Sequence, residues 1–105
     1  MSAFIRVSAV LEKADSQLFF ECPGCNMLHG VNVEGEGPPR WGWNGSVDKP
    51  TFTPSVLVRY NWGPEQRQVV CHCFVTDGRI QFLGDCTHAL AGQTVDLPLL
   101  EVNDL

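Results

Sequence analysis

Alternating apolar and polar positions in the second half of the chain predict an antiparallel β meander. Residues 55–60 and 68–75 are rich in Val and flank the polar stretch NWGPEQR, which is typical of two strands joined by a turn. Asp77 and Gly78 follow, and this dipeptide suits a two-residue hairpin turn with positive φ. We therefore expect a third strand directly after the second.

The register of that hairpin decides which residues share a face of the sheet. Counting outwards from the turn pairs Val75 with Ile80, Cys73 with Phe82 and Cys71 with Gly84. Because side chains alternate along a strand, His72 and Phe74 should point to the opposite face. Cys71 and His72 are adjacent in sequence but should serve different sites.

The rest of the chain predicts shorter elements. Residues 3–11 and 17–21 are apolar and are separated by the polar EKADS, which fits two strands. Residues 30–54 are crowded with Gly, Pro and Trp and predict a long shaped loop with at most a short strand at 40–44. The tail is expected to hold one helical turn at most, then a short extended run from Gln93.

The composition indicates one small domain covering residues 1–105. With 44% hydrophobic and 18% charged residues the chain can bury a core. The net charge is −5 and the seven Lys and Arg residues are scattered, which disfavours nucleic-acid binding. No stretch approaches the roughly 18 apolar residues of a membrane span, and the N-terminus lacks a secretory signal. We expect a cytoplasmic protein without membrane contact.

The sequence CPGC at residues 22–25, named the knuckle below, predicts a zinc site. Its tight turn points Cys22 and Cys25 the same way. Five cysteines is an odd number, and a reducing compartment would keep the thiols free for metal. Zinc takes four ligands, and we expect Cys71 as the third and His29 as the fourth, with His88 as the alternative. The predicted fold class is therefore mostly β, a small single domain with a meander, a zinc knuckle and a long Gly/Pro/Trp-rich loop.

Other interpretations of the cysteines remain open. A redox motif needs a helix after the knuckle, and nothing after Cys25 reads as one. Cys73 and Cys86 could also be ligands, but they fit the role of small buried thiols equally well.

A histidine in an apolar strand needs polar partners, and this directs attention to His72. Ser55 starts the neighbouring predicted strand and falls on the His72 face in one of the two possible registers. Asp85 could accept a hydrogen bond from the second imidazole nitrogen. The three would form a nucleophile, a base and an orienting acid. Alternatively, Ser55 only starts a strand and Asp85 only ties down a loop.

The stretches RWGWNG, KPTFTPSVLV and CHCFVTDGRIQFLGDCTHALAGQTVDLP resemble a family of small phage and prophage proteins over about residues 19–98. That family is often labelled "ammonia monooxygenase", which implies copper chemistry in a membrane. The chain has neither a predicted membrane span nor a histidine-rich copper site, so we reject the label.

The phage family is in turn similar to the BubE-like proteins of bacterial ubiquitin-like operons, which are regarded as serine peptidases of ubiquitin-like tails. The shared signature is a Pro-Ser stretch followed by a Cys/His-Phe stretch. The resemblance implies that Ser55 is the nucleophile and His72 the base, whereas Asp85 is our own inference. Cys73 departs from the serine expected in the phage family, which makes it a poor zinc candidate.

These observations give two functional hypotheses. The first is a zinc-stabilised serine hydrolase of phage origin that cleaves a protein or ubiquitin-like tail in the bacterial host cytoplasm, with Trp41, Trp43 and Asn44 binding the substrate. Backbone N–H groups near Pro54 or in the tryptophan loop would stabilise the oxyanion. The second is a non-catalytic zinc-binding phage protein that binds and blocks a host defence protein. Whether Ser55 and His72 face each other separates the two.

Overall fold

Two antiparallel β-sheets form the fold, as seen in a computed structural model that describes residues 4–34 and 38–100. The first sheet has the order β1-β2-β3-β4 and consists of β1 (Ile5–Arg6), β2 (Glu12–Ala14), β3 (Gln17–Cys22) and β4 (Met27–Asn32). The second has the order β5-β6-β7-β8-β9 and consists of β5 (Gly42–Trp43), β6 (Phe52–Trp62), β7 (Arg67–Thr76), β8 (Arg79–Phe82) and β9 (Thr94–Asp96). The mostly β fold class is confirmed. Within the described ranges no helix is long and apolar enough to cross a membrane.

The predicted meander is present as β6, β7 and β8. Between β7 and β8, Val75 pairs with Ile80 and Cys73 with Phe82, as expected from the turn residues. Asp77 and Gly78 have φ values of 51° and 79°, the positive values that a two-residue hairpin turn of this kind requires. The extended run predicted from Gln93 is confirmed by β9.

The long strand predicted at residues 3–11 is wrong, because the chain turns after β1. The Ser8 hydroxyl accepts hydrogen bonds from the amides of Val10 and Leu11 at 3.2 and 3.0 Å, and this local bonding competes with a sheet ladder. The polar stretch expected to connect two strands instead forms β2, which pairs with β3. Residue 3 lies outside the described part of the chain.

The long loop predicted at residues 30–54 is shorter than expected at both ends. Strand β4 continues to Asn32 because it pairs with β3 along its whole length, and β6 already begins at Phe52. The short strand expected at 40–44 is confirmed as β5. Residues 35–37 of the expected loop are outside the described ranges.

The two sheets bury one face each in a common core. The inward residues of β3 and β4 and those of β6, β7 and β8 belong to a single hydrophobic cluster. Phe20 of the first sheet stacks on Phe52 of the second, with ring centroids 6.2 Å apart. Cys22 and Cys71 meet across the same interface, with their Sγ atoms 3.7 Å apart. The opposite face of the second sheet is open to solvent.

Removing the Phe52 ring, which packs between the two sheets, should greatly reduce the stability of the fold. Phe52 is 1% exposed, and Phe52→Ala should lower the free energy of unfolding by about 3–5 kcal/mol because it removes a buried ring and leaves a cavity. Urea unfolding measures this loss. The control Leu99→Ala, at a side chain that is 71% exposed, should change stability by less than about 0.5 kcal/mol. Equal effects of the two changes would contradict this description of the core.

Candidate active site and metal centre

Strand β7 supplies one residue to each of two sites on opposite faces. Cys71 is 1% exposed and points into the core, whereas the neighbouring His72 points to the outer face and pairs with Leu57 of β6. The strand alternation predicted this separation correctly. The pleat of β7 places the Cys71 thiol in the core and the His72 imidazole on the outer face.

Ser55 lies on the outer face because it precedes Val56, which points into the core and pairs with Cys73. Phe52 pairs with Val75 and Val56 pairs with Cys73, so residues 53–55 lie opposite a single residue of β7. The two extra residues of this bulge shift the pairing by two positions and leave the alternation of faces unchanged. Ser55 Oγ lies 3.0 Å from His72 Nε2. The structure therefore realises the one of two possible registers in which the two side chains meet.

Asp85 completes a row of hydrogen-bonded side chains. The chain leaves β8 at Phe82 and turns, with the Cys86 amide donating to the Leu83 carbonyl at 3.2 Å. The turn carries the Asp85 Oδ2 atom to 3.1 Å from His72 Nδ1. A neutral imidazole with its proton on Nδ1 satisfies both contacts, since Nδ1–H donates to Asp85 and Nε2 accepts from the Ser55 hydroxyl.

This row is partly open to water. The His72 side chain is 25% exposed and that of Asp85 is 53% exposed. Apolar side chains flank it on the outer face, since Leu57 is 47% and Phe74 is 38% exposed. A nucleophile, a base and an orienting carboxylate in this order are the arrangement that acyl transfer requires.

The tryptophan loop adjoins the nucleophile. The Trp41 indole N–H donates to the Ser55 carbonyl at 3.2 Å, so the two segments are fixed to each other. Beside them lies an open surface cavity of about 440 Å³, lined by Val33, Arg40, Trp41, Gly42 and Trp43. Trp41 and Trp43 line this concave surface, and the bond from Trp41 to the Ser55 carbonyl connects it to the strand of the nucleophile. The substrate-binding role predicted for the two tryptophans remains a prediction.

Asn44 has a defined structural role in this loop. Its Oδ1 accepts from the amides of Ser46 and Thr51, both at 3.1 Å, and its Nδ2 donates to the Lys49 carbonyl at 3.1 Å. These bonds close the loop between β5 and β6. The substrate-binding role predicted for Asn44 remains a prediction.

A second cluster lies on the inner face, at the knuckle. The Sγ atoms of Cys22, Cys25 and Cys71 and a ring nitrogen of His88 all lie within 4.8 Å of one another. Three thiolates and one imidazole form a common ligand set for structural zinc. The Nε2 atoms of His88 and of His29 are both buried without a hydrogen-bond partner in the part of the chain that the structure describes. Only His88 belongs to the cluster, and a metal ion bound there would give its nitrogen a partner.

The acidities of these groups also fit a metal site. The contact with Cys71 and burial raise the pKa of the Cys22 thiol from 9.0 to about 12. Burial and repulsion from Cys22 raise the pKa of Cys25 to about 11. Burial lowers the pKa of His88, which favours the neutral imidazole that binds metal. Packing three thiols together is unfavourable for their thiolate forms unless a cation neutralises them.

The cluster contains His88, which was the alternative, and does not include His29, which was expected as the fourth ligand. His29 is 4% exposed, its backbone pairs with Phe20 across β3 and β4, and its side chain lies near enough to Cys22 to offset part of the rise in the pKa of that thiol. Its ring stands edge-on to Phe20 at 5.8 Å. The alternative, His88, occupies the fourth position because the segment after β8 folds back over the knuckle.

Two residues of these sites were not recognised from the sequence. A Cβ atom added at Gly24 would overlap the His88 ring, so the glycine of the knuckle makes room for the fourth ligand. The signal for this role was the small residue between the two cysteines. Cys86, expected to be only a buried thiol, hydrogen-bonds to the backbone of His72.

Comparison with known proteins gives a match over most of the chain. The family model of BubE, described as the serine protease of the bacterial ubiquitination-like system, matches residues 4–83. This range contains Ser55 and His72, and it ends before Asp85 and His88. No curated protein and no solved structure matches the chain.

The thiol acidities predict that stability falls at high pH without zinc and does not fall there with zinc. In the metal-free protein the folded-state pKa values of about 12 for Cys22 and about 11 for Cys25 lie above the ordinary 9.0. Their contribution to stability is therefore complete below pH 9 and is lost as the pH rises towards 11 to 12. Bound zinc keeps the thiols ionised, so this loss should disappear.

Urea unfolding between pH 7.5 and 10.5, at stoichiometric zinc and after chelation, measures this difference. Protein purified without chelator should carry about one zinc ion per chain. Cys22→Ser should lose both the metal and much of the stability. A protein that binds no zinc, or that forms a disulfide between Cys22 and Cys25 under reducing conditions, would contradict the site.

Gly24→Ala tests the position of His88. The added methyl group would displace the His88 ring and leave the three thiols in place, so we expect zinc affinity to fall by roughly 10- to 100-fold. Competition with a chromophoric chelator measures this change. Gly84→Ala is the matched control, because a Cβ atom there meets nothing within 4 Å. Unchanged affinity in Gly24→Ala would exclude His88 as a ligand.

Proposed function

The chain belongs to the BubE family, the serine proteases of bacterial ubiquitination-like systems, and we propose that it is a serine peptidase with Ser55 as its nucleophile. The observation that carries this proposal is the continuous row from Ser55 Oγ through the His72 ring to Asp85, with contacts of 3.0 and 3.1 Å. Family membership confirms the BubE-like resemblance. The residue roles rest on the geometry.

In the first half of the reaction the Ser55 oxygen attacks the carbonyl carbon of the scissile amide. His72 Nε2 accepts the hydroxyl proton as the new C–O bond forms, and the carbonyl oxygen takes up the negative charge. Asp85 accepts from Nδ1–H and stabilises the imidazolium. The C–N bond then breaks and His72 protonates the leaving amine, which leaves an acyl group on Ser55.

In the second half a water molecule takes the place of the amine. His72 removes its proton, the water oxygen attacks the acyl carbon, and the C–O bond to Ser55 breaks as the proton returns to the Ser55 oxygen. We place the oxyanion donors at the bulge in β6. In the tryptophan loop the amides of Trp41 and Asn44 already donate to Asn32 and Thr51, and Pro54 has no N–H.

The substrate that fits this site is an extended protein segment. The nucleophile lies on the outer face of a sheet between exposed apolar side chains, where a chain end can lie without entering a deep pocket. We infer that the protein acts as a peptidase or isopeptidase on a protein or ubiquitin-like tail, with Trp41 and Trp43 contacting that tail. Phage origin and a location in the host cytoplasm remain predictions.

Zinc has a structural role in this proposal. Cys22, Cys25, Cys71 and His88 would hold the ion in the core, on the opposite side of β7 from the reacting groups. When bound, zinc supplies a cross-link between the knuckle, β7 and the segment after β8. Four protein ligands would leave no position for substrate on the ion.

A serine-directed fluorophosphonate probe and hydrolysis of a ubiquitin-like fusion test the mechanism. Ser55→Ala and His72→Ala should each lower turnover by roughly four to six orders of magnitude, and the double change should be no worse, because the pair acts as a unit. Asp85→Asn should cost roughly two orders of magnitude less, since the carboxylate only orients and stabilises the imidazole. Labelling by the probe should be abolished by Ser55→Ala and almost abolished by His72→Ala, because the serine reacts with the probe only when the base accepts its proton.

Ser16→Ala is the matched control, since the Ser16 hydroxyl donates to Asn32 Oδ1 on the first sheet at 2.7 Å. The Ser16→Ala variant should be labelled by the probe as strongly as wild type. Zinc content and thermal unfolding are followed in every variant. Full activity in Ser55→Ala would refute the proposal. So would a loss of activity that always accompanies a loss of zinc, and the non-catalytic binding protein would then be the better account.

A further inference from the structure

The thiol of Cys86 makes two hydrogen bonds to the backbone of the residue that carries the imidazole. The His72 amide donates to Cys86 Sγ at 3.2 Å, and the Cys86 thiol donates to the His72 carbonyl at 3.2 Å. These are short contacts for sulfur. Cys86 is 9% exposed, so water does not readily compete for either group.

The need for this contact follows from the path of the chain after β8. In a continuing ladder, a carbonyl of β8 would accept from the His72 amide. Instead β8 ends at Phe82, and the last backbone bond of the ladder to His72 is the one that the Leu83 amide donates to its carbonyl, at 2.9 Å. The turn that follows is what brings Asp85 to the imidazole. The departure leaves the His72 amide without a strand partner, and the Cys86 thiol takes that place.

The next residue anchors the same segment in a similar way. The Thr87 amide donates to the Val70 carbonyl at 2.9 Å, and the Thr87 hydroxyl accepts from the Val70 amide at 3.0 Å. Val70 and His72 are thus two residues of β7 that bond to the segment after β8. Side chains of that segment accept from their amides, as the carbonyls of a neighbouring strand would. The Cys86 bonds are the ones that hold His72 itself.

We propose that Cys86 is a positioning residue for His72. Its thiol fixes the backbone of the base relative to the turn that carries Asp85, and so sets the direction of the imidazole towards Ser55. This inference rests on the proposed peptidase function. A displacement of about 1 Å at a reacting group can cost about a hundredfold in rate, so loss of this contact should act on turnover more than on substrate binding.

The experiment compares Cys86→Ala, Cys86→Val and Cys86→Ser in the zinc-loaded protein. Alanine and valine cannot make either hydrogen bond, so both should lower kcat about 10- to 100-fold with little change in KM. Serine can donate and accept, so it should recover most of that loss. Cys73→Ala is the matched control, because it removes a buried thiol from β7 and should reduce stability but keep kcat.

Hydrogen exchange at the His72 amide, followed by NMR, gives a readout that does not depend on activity. Exchange should be faster in the alanine and valine variants and close to wild type with serine. If wild type is inactive, the proposed function fails, but the exchange result still decides whether Cys86 holds His72. Wild-type kcat with unchanged exchange in both apolar variants would overturn the inference, as would a serine variant no better than alanine.

Discussion

The structure depends on the alternation of side chains along a single strand, β7. Cys71 points into the core and His72 points to the outer face, so two sites of different chemistry share adjacent residues. The segment after β8 repeats this division, because Asp85 turns outward to the imidazole and His88 turns inward to the knuckle. Strand β7 and the segment after β8 therefore meet twice, at His72 and Asp85 on the outer face and at Cys71 and His88 on the inner face.

This double connection would give a bound metal ion a role beyond stability. A chain of this size has a small core, and an ion held by the four clustered side chains would add a cross-link between the sheets. The cross-link would also fix the distance between β7 and the segment that carries Asp85. Ser55, His72 and Asp85 could then keep a defined geometry on an exposed surface, because β7 and the segment after β8 would be held together in the core.

Short sequence motifs were enough to predict part of the fold and part of the two sites. The Asp77 and Gly78 turn fixed the β7–β8 register, and that register separated Cys71 from His72. Spacing alone identified the knuckle. The register of Ser55 could not be decided, because it depends on how many residues of NWGPEQR form the turn between β6 and β7, and the structure pairs Trp62 with Arg67. The fourth member of the metal cluster and the role of Cys86 depend on how the chain folds back after β8, which no periodic pattern encodes.

The long hairpin of β6 and β7 has a practical consequence for the design of reagents. Beyond Tyr60 its residues are exposed up to the tip, and Trp62 lies seven positions along the strand from Ser55, roughly 23 Å away. The tip turns through Gly63 and Gln66, which both have positive φ. A fluorophore, an affinity tag or an inserted domain could be attached at this tip without moving the paired residues of β6 and β7. The hairpin tip is therefore a suitable place for attaching the protein to a surface with its outer face free.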